Sequence, residues 1–141
     1  MPAITFFEED ITYKLKQKTE VRRWITETIN AEGYQLKELN YIFCTDDYLL
    51  RVNRQYLNHD TYTDIITFDH SVTEKSIAGD IFISIERIRE NAAKFKVIET
   101  DELHRVIIHG ALHLLGYGDK KPADKKRMTE KEDFYLNNRT S

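Results

Sequence analysis

The segment from Leu103 to Asp119 constrains this chain more than any other, because one helix there has to serve an apolar core and carry two imidazoles. Leu103, Val106, Ile107, Ala111 and Leu114 recur at helical spacing and form a broad apolar face. His109 and His113 stand four residues apart in the same run, about 40° apart around a helix of 3.6 residues per turn. Both rings therefore leave one face, one turn apart. Leu114 and Leu115 complete the apolar pattern, Gly116 suits the left-handed conformation that ends a helix, and Gly118 lets the chain turn sharply again. Asp119 is thereby free to swing back towards the imidazoles.

A histidine pair alone also serves packing or surface hydrogen bonds, so the helix stop and the returning carboxylate are what point to a metal. Zinc accepts imidazole nitrogen and carboxylate oxygen, and three protein ligands plus water make an open site of the catalytic kind. Such an ion lowers the pKa of coordinated water towards about 7, which gives a nucleophile without a Ser or Cys. Zinc peptidases place a glutamate base directly after the first histidine, whereas this chain has Gly110. A mid-helix Gly costs up to about 1 kcal/mol relative to Ala, so another segment is expected to approach closely there. His104 precedes His109 by about 140° around the helix and is expected outside the ligand set. His59 and His70 fall in or beside loops, which favours surface or hydrogen-bonding roles.

Three further blocks precede the histidine segment: Leu50-Arg51-Val52-Asn53-Arg54-Gln55-Tyr56, Thr63-Asp64-Ile65-Ile66-Thr67-Phe68 and Gly79-Asp80-Ile81-Phe82-Ile83-Ser84. In order and spacing, over roughly positions 40 to 120, the chain resembles the YbeY family of bacterial metal-dependent endoribonucleases and rRNA maturation factors. The resemblance implies a zinc-dependent hydrolase that cuts single-stranded RNA by metal-activated water. It would act in maturation of the 16S rRNA 3' end and in ribosome quality control, alongside the ribosome or its small subunit, with no DNA partner. One zinc per chain is implied, with nickel or another divalent ion as alternatives.

Three positions depart from the family pattern. Asp119 stands where the third histidine ligand belongs, and Leu57 stands where an arginine follows the tyrosine. Tyr62 replaces a proline before Thr63. Aspartate coordinates zinc at about 2.0 to 2.2 Å, so the expected ligands are His109, His113 and Asp119, with Asp124 as the fallback. With Leu57 in place, the phosphate-binding cation passes to Arg51 or Arg54 or is absent. Asp64 and Asp80 match positions beside the family's cleft, although a turn or cap role explains each equally well. A metal-dependent peptidase and a noncatalytic ribosome assembly factor with a structural metal are the competing readings.

The 141 residues are of single-domain size, enough to bury roughly two-thirds of the unfolded surface, and no repeat or linker divides them. One domain over 1–141 is expected. The N-terminus has neither a basic start nor a long apolar stretch, which predicts a cytoplasmic protein with no membrane partner. Cys44 is the single cysteine; it excludes an internal disulfide and, within Tyr41-Ile42-Phe43-Cys44, is expected as a buried small hydrophobe. A net charge of −3 argues against RNA binding through bulk positive charge. Lys120-Lys121 and Lys125-Lys126-Arg127 offer a local phosphate-binding patch, or simply a solvated surface interrupted by Asp124.

Periodicity predicts a strand at Ile4 to Phe7 and a helix from Lys18 to Ala31 with Val21, Trp24, Ile25, Thr28 and Ile29 facing the core. Further predictions are a strand over Leu39 to Thr45, a capped helix carrying Tyr48, Leu49, Val52 and Tyr56, and a strand over Ile65 to Phe68. Ser71 to Ala78 is expected as an exposed loop, followed by a strand led by Gly79 and a helix with Ile85, Ile88, Ala92 and Phe95 on its inner face. Thr100 is expected to start the histidine helix, and Pro122 a terminal helix through Phe134 and Tyr135. The sum is an α+β domain, a mixed sheet of three or four strands with about five helices and the metal site at the end of a core helix.

Overall fold

Residues 3–139 are described by the computed structural model, in the order β1 (Ile4–Glu9), α1 (Lys18–Ala31), β2 (Gln35–Cys44), α2 (Asp46–Leu57), β3 (Ile65–Asp69), β4 (Ser76–Ser84), α3 (Ile85–Phe95), α4 (Glu99–Leu114) and α5 (Pro122–Asn137). The four strands form one sheet in the order β1-β2-β4-β3, with β1, β2 and β4 parallel and β3 antiparallel to β4 at the edge. This is the expected α+β domain with a mixed sheet and, among the described residues, five helices.

Strand alternation divides the interior. Leu39, Tyr41 and Phe43 of β2 and Ile77, Ile81 and Ile83 of β4 point into the main core, where they meet apolar residues of α1, α3, α4 and α5. Ile66, Cys44, Phe68 and Phe82 belong to a smaller cluster capped by Leu49, Val52 and Tyr48 of α2. The sheet is therefore covered on both sides, and α4 lies on the main-core side with Leu103, Val106, Ile107, Ala111, Leu112 and Leu114 all buried. Each fully buried aliphatic side chain contributes roughly 1.5–3 kcal/mol, so this helix is held by packing rather than by propensity.

Several local expectations are met with a physical cause. Gly33, at φ +85°, follows the end of α1, and Gly116, at φ +104°, follows the end of α4. Thr45 caps α2 by accepting from the Tyr48 amide at 3.1 Å. Trp24 is buried and its indole N–H donates to the Tyr135 carbonyl at 2.8 Å, tying α1 to α5, so it belongs to the core as expected. Cys44 is buried, and burial raises its thiol to about 12, with nearby acids adding to the effect.

Other expectations are corrected. Ser71 to Ala78 is not wholly loop: β4 begins at Ser76, and Ser76 and Ile77 are buried because they pair with Gln35 and Leu36 of β2. The same pairing starts β2 at Gln35 rather than Leu39. The histidine helix begins at Glu99, with Ile98 in the cap position and no side-chain cap, so Thr100 lies inside it. Phe95 closes α3 but is exposed, since it falls in the last turn beyond the buried Ala92.

Candidate metal centre

Gly110 explains how close α4 comes to the sheet. A Cβ on it would stand 2.9 Å from Ile65 Cδ1 and 3.0 Å from Ile81, so the expected close approach comes from β3 and β4. Gly79 plays the same part from the sheet, where a Cβ would lie 2.5 Å from the Phe68 carbonyl and 3.1 Å from Leu114. With α4 seated this way, His109 and His113 emerge one turn apart, their rings 4.5 Å between centroids and nearly perpendicular.

After Gly116 the chain doubles back. The Gly116 amide donates to the His113 carbonyl and the Tyr117 amide to the Leu112 carbonyl, so the orphan carbonyls at the helix end are met by the turn itself. Asp119 then presents Oδ2 at 3.2 Å from His113 Nε2 and 3.4 Å from His109 Nε2. Ligands about 2.0 to 2.1 Å from a tetrahedral ion stand about 3.3 Å apart, so these separations suit one cation held by all three. His109, His113 and Asp119 each offer an atom within 4.8 Å of the others and could hold a metal ion. Asp124 lies outside this group, close to Gly118.

Behind the imidazoles stands a residue that the sequence reading missed. Glu132 of α5 is buried and places Oε2 2.6 Å from His109 Nδ1, while its Oε1 accepts from Arg105 Nη1 at 2.7 Å. Arg105 also donates to Asp133, so α4 and α5 are joined by one ionic ladder. The signal in the sequence was position: Met128, Glu132 and Tyr135 are the buried residues of α5, so an acid occupies an apolar stripe.

Burial works against protonation of His109, yet the hydrogen bond and charge of Glu132, with Asp119 and Asp64 adding to them, raise its pKa. Burial raises the Asp64 carboxyl while the nearby His109 and Arg87 pull it down. Glu102, buried two turns before His109, is likewise raised by burial and by Asp64, with Arg105 opposing. The charges of Glu132, Asp119 and Asp64 thus converge on His109, with Arg105 paired to Glu132, a setting that favours a cation at the rings.

The remaining sequence candidates lie elsewhere. His104 is buried against Trp24 and accepts at Nδ1 from Arg139. His59 is exposed, and exposed His70 pairs with Asp80, which also accepts from Asn40. Arg51 and Arg54 are exposed and paired with Asp10 and Asp60. Asp80 sits on the α2 side of the sheet beside Phe68 and Phe82, away from α4; Asp64, just before β3, is near enough to His109 for their charges to interact.

The family model described as Endoribonuclease YbeY matches residues 3–140. Relatives named Endoribonuclease YbeY include one from Cytophaga hutchinsonii, 53% identical over 94% of this chain and 93% of its own length. Another, from Flavobacterium psychrophilum, is 51% identical over 92% of each. The solution structure of TM1509 from Thermotoga maritima is similar with a TM-score of 0.65 and 28% identity, covering 94% of this chain and 86% of that one. The α+β domain with two histidines and an aspartate gathered at the end of its core helix belongs to the YbeY endoribonuclease family.

Proposed function

We propose that this endoribonuclease is zinc-dependent, with His109, His113 and Asp119 as the metal ligands, and that it cuts single-stranded rRNA in the cytoplasm during maturation of the 16S 3' end and ribosome quality control. The observation that carries the reading is the convergence of two Nε2 atoms on one carboxylate oxygen, 3.4 and 3.2 Å away, at separations that a tetrahedral cation would impose. The donor set of two nitrogens and one oxygen suits zinc, with nickel or another divalent ion as the alternative. When bound, a divalent ion supplies Lewis-acid stabilisation of phosphate charge and makes water more acidic.

The chain's own groups then divide the remaining work. Asp119, Glu132 and Asp64, whose charges act on His109, supply the negative field that draws the cation in. Lys120, Lys121, Lys125, Lys126 and Arg127 are exposed directly after Asp119, along the start of α5, where they can follow an RNA backbone. Single strands fit this division because their phosphates can bend into an open site at a helix end, whereas a duplex holds them rigid. No described helix is long and apolar enough to cross a membrane, which is consistent with work in the cytoplasm.

Cleavage of unstructured RNA by purified protein, abolished by a chelator and restored by zinc, is the expected result. Duplex RNA of the same sequence should be cut slowly, and casein not at all. Undiminished RNA cleavage by metal-free protein would overturn the metal-dependent reading.

A further inference from the structure

We propose that Glu132 is the positioning residue for His109, holding its proton on Nδ1 so that Nε2 is offered to the metal; this rests on the metal-site reading above. A neutral imidazole carries one proton, and the nitrogen that keeps it is set by the hydrogen bonds around the ring. Two acceptors compete for the proton of His109. Glu132 Oε2 lies at 2.6 Å from Nδ1, whereas Asp119 Oδ2 lies at 3.4 Å from Nε2 and is shared with His113. The shorter, unshared contact fixes the Nδ1–H form.

Glu132 is itself held in place. Its second oxygen takes Arg105, and Arg105 and His109 are four residues apart on α4, so they project from one face and grip one carboxylate from α5. Its residue is only 7% exposed. Stability does not account for an acid at that depth, since replacing a buried ionic group by an apolar one of similar volume is often neutral or stabilising. Orientation of a ligand does account for it, because outer acceptors of metal-bound histidines typically change metal affinity by about 10- to 100-fold.

The test combines zinc affinity with the position of the proton. Competition against a chromophoric chelator is run on wild type, Glu132→Met and Arg105→Met, each first checked for cooperative unfolding in the metal-free state. Glu132→Met is expected to weaken zinc by about tenfold or more while remaining folded, and Arg105→Met, which keeps the acceptor, by less than about threefold. Nitrogen-15 imidazole spectra of metal-free wild type at alkaline pH are expected to place the His109 proton on Nδ1. Zinc affinity unchanged in a folded Glu132→Met protein, or a proton on Nε2 in wild type, overturns the proposal. Wild type that binds no zinc overturns the metal reading instead, and the proton position still decides the role of Glu132.

Discussion

The Tyr117 hydroxyl donates a 2.5 Å hydrogen bond to Glu32 Oε1, fastening the turn that carries Asp119 to the end of α1. Glu32 also accepts from Tyr135 and from Lys131 at 3.2 Å, both on α5. A carboxylate at a helix C-terminus opposes the helix dipole, and these donors offset that cost. Glu32→Ala is expected to lose roughly 2–3 kcal/mol in urea unfolding, because hydrogen bonds to a charged group are removed and the donors are stranded. Tyr117→Phe, which removes one of them, should lose about 1 kcal/mol. Zinc content should fall in Glu32→Ala through the loosened turn. Unchanged stability in both variants would contradict the anchoring role.

Asp119 is the member of the proposed ligand set that stands where the resemblance implies a third histidine, and its removal tests that set. Asp119→Ala, purified without added metal, should lose most of its zinc by elemental analysis. Asp119→His should retain it, because imidazole replaces one good donor by another. His104→Ala lies on another face of α4 and should keep wild-type metal content. Equal metal retention in Asp119→Ala and His104→Ala would remove Asp119 from the ligand set.

His109, His113 and Asp119 were legible in the sequence because they are close along the chain, where helix period and one turn fix their geometry. The bounds of α1 were legible for the same reason, from the spacing of Val21, Trp24, Ile25, Thr28 and Ile29. What escaped depended on distant pairing. Ser76 and Ile77 look like loop beside Thr73, Glu74 and Lys75, and become strand only by lying parallel to Gln35 and Leu36 of β2. Thr100 has better capping chemistry than Ile98, yet the packing of α4 extends the helix past it. Glu132 lies 23 residues from His109 and meets it only through the docking of α5 on α4. An acid in the stripe of Met128 and Tyr135 was the one local sign of it.

Gly79 and Gly110 hold α4 to the sheet from opposite sides, but they differ in what an added methyl would strike. At Gly79 it meets the backbone carbonyl of Phe68 at 2.5 Å, which can move only by distorting the β3–β4 pairing. At Gly110 it meets the Cδ1 ends of Ile65 and Ile81 and the Ile81 Cγ2 methyl, side-chain atoms rather than backbone. Overpacking costs typically about 1–3 kcal/mol, and Ala regains about 1 kcal/mol of helix propensity at Gly110. Gly79→Ala should therefore be clearly the more destabilised in urea titrations. The reverse order would mean that the α4 side is the rigid one.

His104 gives the fold an acid limb separate from the His109, His113 and Asp119 cluster. Burial and the Arg139 guanidinium, against Asp101, push its imidazole down to about 4, and Arg139 Nη1 donates to its neutral Nδ1 at 2.9 Å. An unfolded histidine titrates near 6.5, so between pH 6.5 and 4 the unfolded chain binds more protons than the native one. Stability from this group is thus fully present above pH 6.5, falls on acidification through that window, and changes no further below about 4. The loss is on the order of 2 kcal/mol once partial solvent screening is allowed for. His104→Gln, which keeps an acceptor for Arg139 without titrating, should be less sensitive to pH across the same window. The gap between the two urea-derived stabilities should then shift in favour of the variant as pH falls from 7 to 4, and parallel curves would show that His104 is not the group responsible.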